Sequence, residues 1–192
     1  MSLIAAAVSL AFLQTAGEKL AAAEQARLDA CLARIQSDPE NAYEDGLAWS
    51  FEGNRPGARQ CTALALIALG HIEDGAARLV DLANASDGGT MEQRAAYLSQ
   101  AGNAYIEADA PDQALTAFDG ALKIAPDAPE LLVDRASAQL LLTNYDKAIA
   151  DLDNAISRTP KMGEAHMLRG KVREALRVQD ENGGAVERLD PQ

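Results

Sequence analysis

"QALTAFDGALKIAP" at residues 113–126 and "KAIADLDNAISRTP" at residues 147–160 are one pattern written twice, 34 residues apart. The interval holds position by position: Ala114 matches Ala148, Phe118 matches Leu152, Ala121 matches Ala155 and Pro126 matches Pro160. Small residues recur where two helices approach closely, a large apolar residue recurs a turn later, and a proline closes each copy. A fixed period of this length marks an array of helical hairpins. One hairpin cannot bury its apolar face alone, so each stacks on its neighbours.

Working outward, Leu98, Ala101, Gly102 and Tyr105 stand before the first copy, while Leu132, Arg135, Ala136 and Gln139 hold the corresponding places before the second. With Ala114, Phe118, Ala121 and Pro126 these residues follow a W-L-G-Y…A…F…A…P pattern with conservative changes, and the chain resembles the tetratricopeptide repeat family. The resemblance is strongest over 95–128 and 129–162 and implies an all-α, right-handed solenoid of stacked antiparallel helix pairs. Arg135 and Gln139 depart from it, standing where leucine and tyrosine are usual. A local ion pair of Arg135 with Asp134, Asp151 or Asp153 is therefore expected. Upstream the pattern is fainter: Ala76, Val80 and Ala83 precede Ala114, Phe118 and Ala121 by 38 residues, and the surplus falls in the turn-forming "SDGGT".

Punctuation along the chain gives about nine helices, near 18–36, 40–52, 57–70, 73–85, 91–108, 112–124, 129–142, 146–158 and 163–178. "SDPE" at 37–40 offers Ser37 or Asp38 as cap, Pro39 at the first helical position and Glu40 reaching back; "DAPE" at 127–130 is expected to repeat the device. "TMEQ" at 90–93 has the spacing of a capping box. "ENGGA" at 181–185 reads as a turn, and the last unit, 163–192, is expected to be truncated because Pro191 comes three residues before the 34-residue step from Pro160. Residues 18–90 are read as divergent N-terminal pairs of one continuous 18–192 array.

The extreme N-terminus has a different character. "LIAAAVSLAFL" at 3–13 is too short for a bilayer, which needs about 20 residues. It fits the apolar region of a secretory signal spanning 1–17, with small residues at Thr15, Ala16 and Gly17 for cleavage. The expectation is a periplasmic or secreted protein, resembling exported bacterial members of the family. The alternative is an apolar helix docked as an N-terminal cap on a cytoplasmic protein. Cys31 and Cys61 bear on the choice, because the family's alternation places their helices side by side in one row. They are the disulfide candidates; two separately buried thiols are the other reading.

Charge and chemistry exclude more than they assign. With 29 acidic and 17 basic side chains the net charge is −12, which disfavours nucleic acid and anionic lipid. Residues 161–192 hold six of each sign, so the whole excess lies before Lys161. His71 and His166 have no ligand or relay spacing, and His71, after Gly70, fits a helix C-terminus. No phosphate loop, nucleophile elbow or calcium loop is present. No catalytic residue, metal or cofactor is expected, and the chain reads as a non-enzymatic interaction module.

The resemblance implies that a protein or peptide partner lies in the concave groove formed by the first helices of successive pairs. Its register selects Ala96, Ser99, Asn103, Ile106, Glu130, Val133, Ser137, Leu140, Met167 and Lys171 as lining. Asn103 occupies the place of an asparagine that holds a terminal carboxylate in chaperone-binding members. Ser99, Asp134 and Leu168 replace the lysine, asparagine and arginine that should accompany it. A carboxylate clamp without cations has nothing to offset desolvation of the anion, so that specialised function is rejected. The alternative to groove binding is a structural or assembly component that meets its partners through the ends of the array.

Overall fold

The structure is a computed structural model that describes the backbone of residues 2–53 and 55–187, with side chains from Gly17 onward as far as Glu181. Nine α-helices and no strand occur among the described residues. They are α1 (Ser2–Ile35), α2 (Pro39–Phe51), α3 (Pro56–Ala68), α4 (Ile72–Asn84), α5 (Met91–Glu107), α6 (Pro111–Ile124), α7 (Pro129–Leu141), α8 (Tyr145–Arg158) and α9 (Gly163–Glu187). None of the described helices is long and apolar enough to cross a membrane. The fold is all-α and built of stacked helix pairs, divided into two compact units, Met1–Arg78 and Leu79–Gln192.

In the first unit α1 and α2 both pack on α3 and on each other. The centre is small and dense, with Cys31, Ala42, Trp49, Ala58, Cys61 and Ala65 buried together and Leu28, Ile35 and Tyr43 closing the sides. Glycine is required where the helices touch. A Cβ at Gly46 would lie 2.8 Å from Thr62 Cγ2 and 2.9 Å from Cys61 Sγ, and one at Gly57 would lie 2.6 Å from the Trp49 ring. Cys31 and Cys61 form a disulfide with a Cα–Cα distance of 6.0 Å, which is the pairing the sequence offered as a candidate.

The second unit carries the clear repeats. α5 packs on α6 and α7 on α8, α6 meets α7, α8 meets α9, and first helices touch along the rows α5–α7 and α7–α9. The repeated positions are its core: Ala114, Phe118 and Ala121, then Ala148, Leu152 and Ala155, are all fully buried. A Cβ at Gly102 would intrude on the Phe118 ring, which is why a glycine faces the largest apolar side chain of α6.

The helix ends repeat as well. α3, α5 and α7 each stop in a Schellman motif, the third residue from the end accepting from a backbone N–H beyond the cap: His71 to Leu66, Ala110 to Tyr105 and Asn144 to Gln139, at 2.9, 2.8 and 2.8 Å. The residues in left-handed backbone there are Gly70, Asp109 and Thr143. Thr90 and Gln93 form the expected capping box at α5, and Asp38 caps α2 ahead of Pro39.

Four expectations need correcting. α1 does not start at 18, since its backbone is helical from Ser2; the signal residues before Gly17 lie outside the described side chains, so export is not addressed by the fold. Glu40 does not reach back to the α2 cap, because Asn41 occupies the third helical position and supplies both the N–H and the amide that Asp38 accepts. "DAPE" does not repeat the capping device: Ala128 holds the cap position without a side-chain acceptor, and Asp127 instead pairs with Arg158 at 2.6 Å. α9 runs on through 181–185 to Glu187, so the expected turn is helix; paired glycines cost about 2 kcal/mol against alanine but do not by themselves stop a helix.

Candidate functional site

α5, α7 and α9 lie side by side, and their shared face gathers residues of the expected groove. At its middle stands Asp134 of α7. Ser99 of α5 donates its hydroxyl to Asp134 Oδ2 at 3.2 Å, and the Asn103 side chain one turn further along α5 hydrogen-bonds the same carboxylate. Burial is the main reason the Asp134 carboxyl is held above its ordinary range, and the neighbouring charges of Glu164 and Glu130 push the same way against the two hydrogen bonds. Among the described residues no cation pairs with it.

The rest of the expected lining divides by depth. Ala96, Asn103, Glu130, Met167 and Lys171 are exposed, and Ser99, Ile106, Ser137 and Leu140 are half-buried. Ser137 turns its hydroxyl back to the Val133 carbonyl at 3.3 Å. Val133 is only 2% exposed and belongs to the core. The sequence marked Asp134 as a departure from the clamp pattern and as one of three candidate partners of Arg135, which instead takes Asp151 and Asp119. Its role as the centre of the cluster depends on α5 and α7 being in register, which a departure at one position does not reveal.

Beside this face a polar network braces the hairpins. Arg135 donates from Nε and Nη2 to both oxygens of Asp151, at 2.8 and 2.7 Å, and from Nη1 to Asp119 at 2.8 Å, tying α6, α7 and α8 together. Asp151 was one of the three expected partners. Asp153 is taken by Arg169 of α9 at 2.5 Å, and Asp119 was not foreseen because it sits in the previous repeat. The Asp151 pair, more than anything else, holds the Arg135 guanidinium above its already high ordinary value.

In the first unit a recess of about 300 Å³ lies over the disulfide, bordered by Arg27, Arg34, Asp45 and Trp49. Its guanidiniums are both engaged: Arg27 stacks over Trp49 at 4.9 Å and forks onto Glu52 at 2.6 and 3.0 Å, and Arg34 pairs with Asp45. Among the described residues no group of three or more His, Cys, Asp or Glu could hold a metal ion.

Comparison with known proteins places the second unit. A family model described as tetratricopeptide repeat matches residues 101–178. Over 72 residues the chain is 35% identical to the Protein SGT1 homolog of Oryza sativa subsp. japonica, a stretch that covers 38% of this chain and 19% of that protein. The chain thus spans about a fifth of the length of the curated relative it matches. The 34-residue register, the paired helices that bury it and the family match agree that residues 101–178 carry tetratricopeptide repeats.

Proposed function

We propose that the α5–α7–α9 face binds a peptide segment of a protein partner and that Asp134 receives a basic side chain of that segment. Repeats of this family are generally protein–protein interaction modules, so a peptide partner is the natural class. The observation that carries the specific reading is the Asp134 carboxylate. It is costly to keep there, half-buried and close to Glu130 and Glu164, with no cation paired to it among the described residues. A Lys or Arg of the partner would supply the missing charge, while half-buried Ile106 and Leu140 and exposed Ala96 offer apolar contact on either side. This inverts the chemistry of a carboxylate clamp.

A peptide array probed with the full chain tests the reading. Binders rich in Lys or Arg within apolar segments are expected, with loss on the paired change Asn103→Arg and Ser137→Arg and weakening by about tenfold on Asp134→Asn. Binding that ignores both variants places the contact elsewhere and sinks the proposal.

Export belongs to the same reading. It is supported by the apolar stretch at 3–13 and by the Cys31–Cys61 bond, which is of a kind that persists in oxidising compartments. N-terminal sequencing of native protein should begin near Gly17 or Glu18; an intact Met1 overturns it.

A further inference from the structure

α7 is covered on both sides by neighbours, whereas α9 is the last described helix, and its outer seam is laid out differently from the others. Met167, Lys171, Glu174 and Val178 follow one another at intervals of four, three and four residues. That is the alternation of inward positions in a helix that packs against another along a heptad seam. Here no described helix covers it. Met167 is 66% exposed and Val178 43%, Lys171 and Glu174 are exposed, and nothing among the described residues lies within 4 Å of a Cβ built at Gly170. An open recess of about 640 Å³ runs beside the seam, bounded by Gly170, Lys171, Glu174, Ala175, Val178 and, from α8, Tyr145.

The order of residues along the seam is self-complementary. If a two-fold axis passes between residues 172 and 173, antiparallel packing sets Lys171 against Glu174 of the second copy and Met167 against Val178 of the second copy, and each contact occurs twice. Opposite charges thus meet at the centre and apolar side chains meet at both ends. Gly170 and Ala175 flank the seam with small side chains and let the two backbones approach. Lys171 makes no ion pair among the described residues and so is available. Glu174 does pair with Arg177, at 2.7 Å, but Arg177 also holds Glu181, so Glu174 can be shared. Charge allows the approach as well. The −12 excess lies entirely before Lys161, and residues 161–192 carry six charges of each sign, so two such segments meet without net repulsion of their own.

We propose that α9 is a homodimerisation helix, pairing antiparallel with α9 of a second copy through Met167, Lys171, Glu174 and Val178. The seam covers about 18 Å of helix at 1.5 Å per residue, less than a standard interface, so the dimer is reversible with a Kd on the order of tens of micromolar. It draws on Met167 and Lys171 at one end of the expected groove lining and leaves Ser99, Asn103 and Asp134 outside the seam.

Sedimentation equilibrium of the full chain from about 1 µM to about 1 mM tests it. The expected result is a concentration-dependent dimer. Lys171→Glu and Glu174→Lys should each weaken it by about tenfold or more, because like charges then face each other at the axis. The doubly exchanged protein, Lys171→Glu with Glu174→Lys, should recover the wild-type dimer. Circular dichroism checks that all three stay folded, as expected for exposed positions. A monomer at every concentration, a dimer indifferent to the single exchanges, or failure of the double exchange to recover it would each overturn the proposal.

Discussion

Arg135 and Asp151 face each other across α7 and α8 through two parallel hydrogen bonds, of 2.8 and 2.7 Å, with Asp151 only 7% exposed. The pair fills a position where the family pattern has leucine. Arg135→Leu would leave Asp151 buried without its partner and should cost roughly 2–3 kcal/mol. Adding Asp151→Leu should recover most of that loss, since an apolar pair of similar volume needs no desolvation. Urea unfolding of the three proteins decides it, and a double variant no better than the single one contradicts the argument.

Gly102 and Gly170 hold the same place in their repeats and should respond oppositely to alanine. A methyl at Gly102 collides with Phe118, so Gly102→Ala should destabilise by about 1–3 kcal/mol. At Gly170 there is open space on a helix, and Gly170→Ala should stabilise by about 0.5–1 kcal/mol. Thermal melts showing the same sign for both would remove close packing as the explanation.

The Cys31–Cys61 bond closes a separation of 30 residues, for which loop entropy gives roughly 3–4 kcal/mol. Reductant should therefore lower the melting temperature of the first unit before that of the second. Cys31→Ser and Cys61→Ser should behave alike and become insensitive to reductant. A thiol assay that finds two free sulfurs in unfolded, non-reduced native protein rules the bond out.

Asp134 should make stability fall with rising pH. Its folded carboxyl is held above the ordinary value mainly by burial, so the folded state keeps the proton after the unfolded chain has released it. Stability contributed by this group is complete below the ordinary aspartate range and is lost as the pH rises through the raised folded value. Asp134→Asn should consequently raise the melting temperature more at neutral pH than in acid, while weakening peptide binding. Equal gains at both pH values would show that charge is not the cause.

Much of the fold was legible from residue types alone, for a physical reason. A helical hairpin that stacks on copies of itself must present small, large and small residues at the same places each time, so Ala114, Phe118 and Ala121 announce Ala148, Leu152 and Ala155 before any coordinate is known. Turn chemistry was readable where the spacing of two side chains defines it, as with Thr90 and Gln93, and misleading where the cap position falls one residue later, as with Asp127 ahead of α7.

What the linear order could not settle are relations between repeats. Asp119 reaches Arg135, and Ser99 and Asn103 reach Asp134, only because the hairpins stack in one register and bring residues 16 to 35 positions apart into hydrogen-bonding distance. Burial is decided in the same way. Ser99 and Val133 hold the same place in successive repeats, yet Val133 is buried in the core while Ser99 is only half-buried. The repeat is a local property of the chain, whereas the energy of a charge depends on everything that surrounds it, and only the packed helices specify those surroundings.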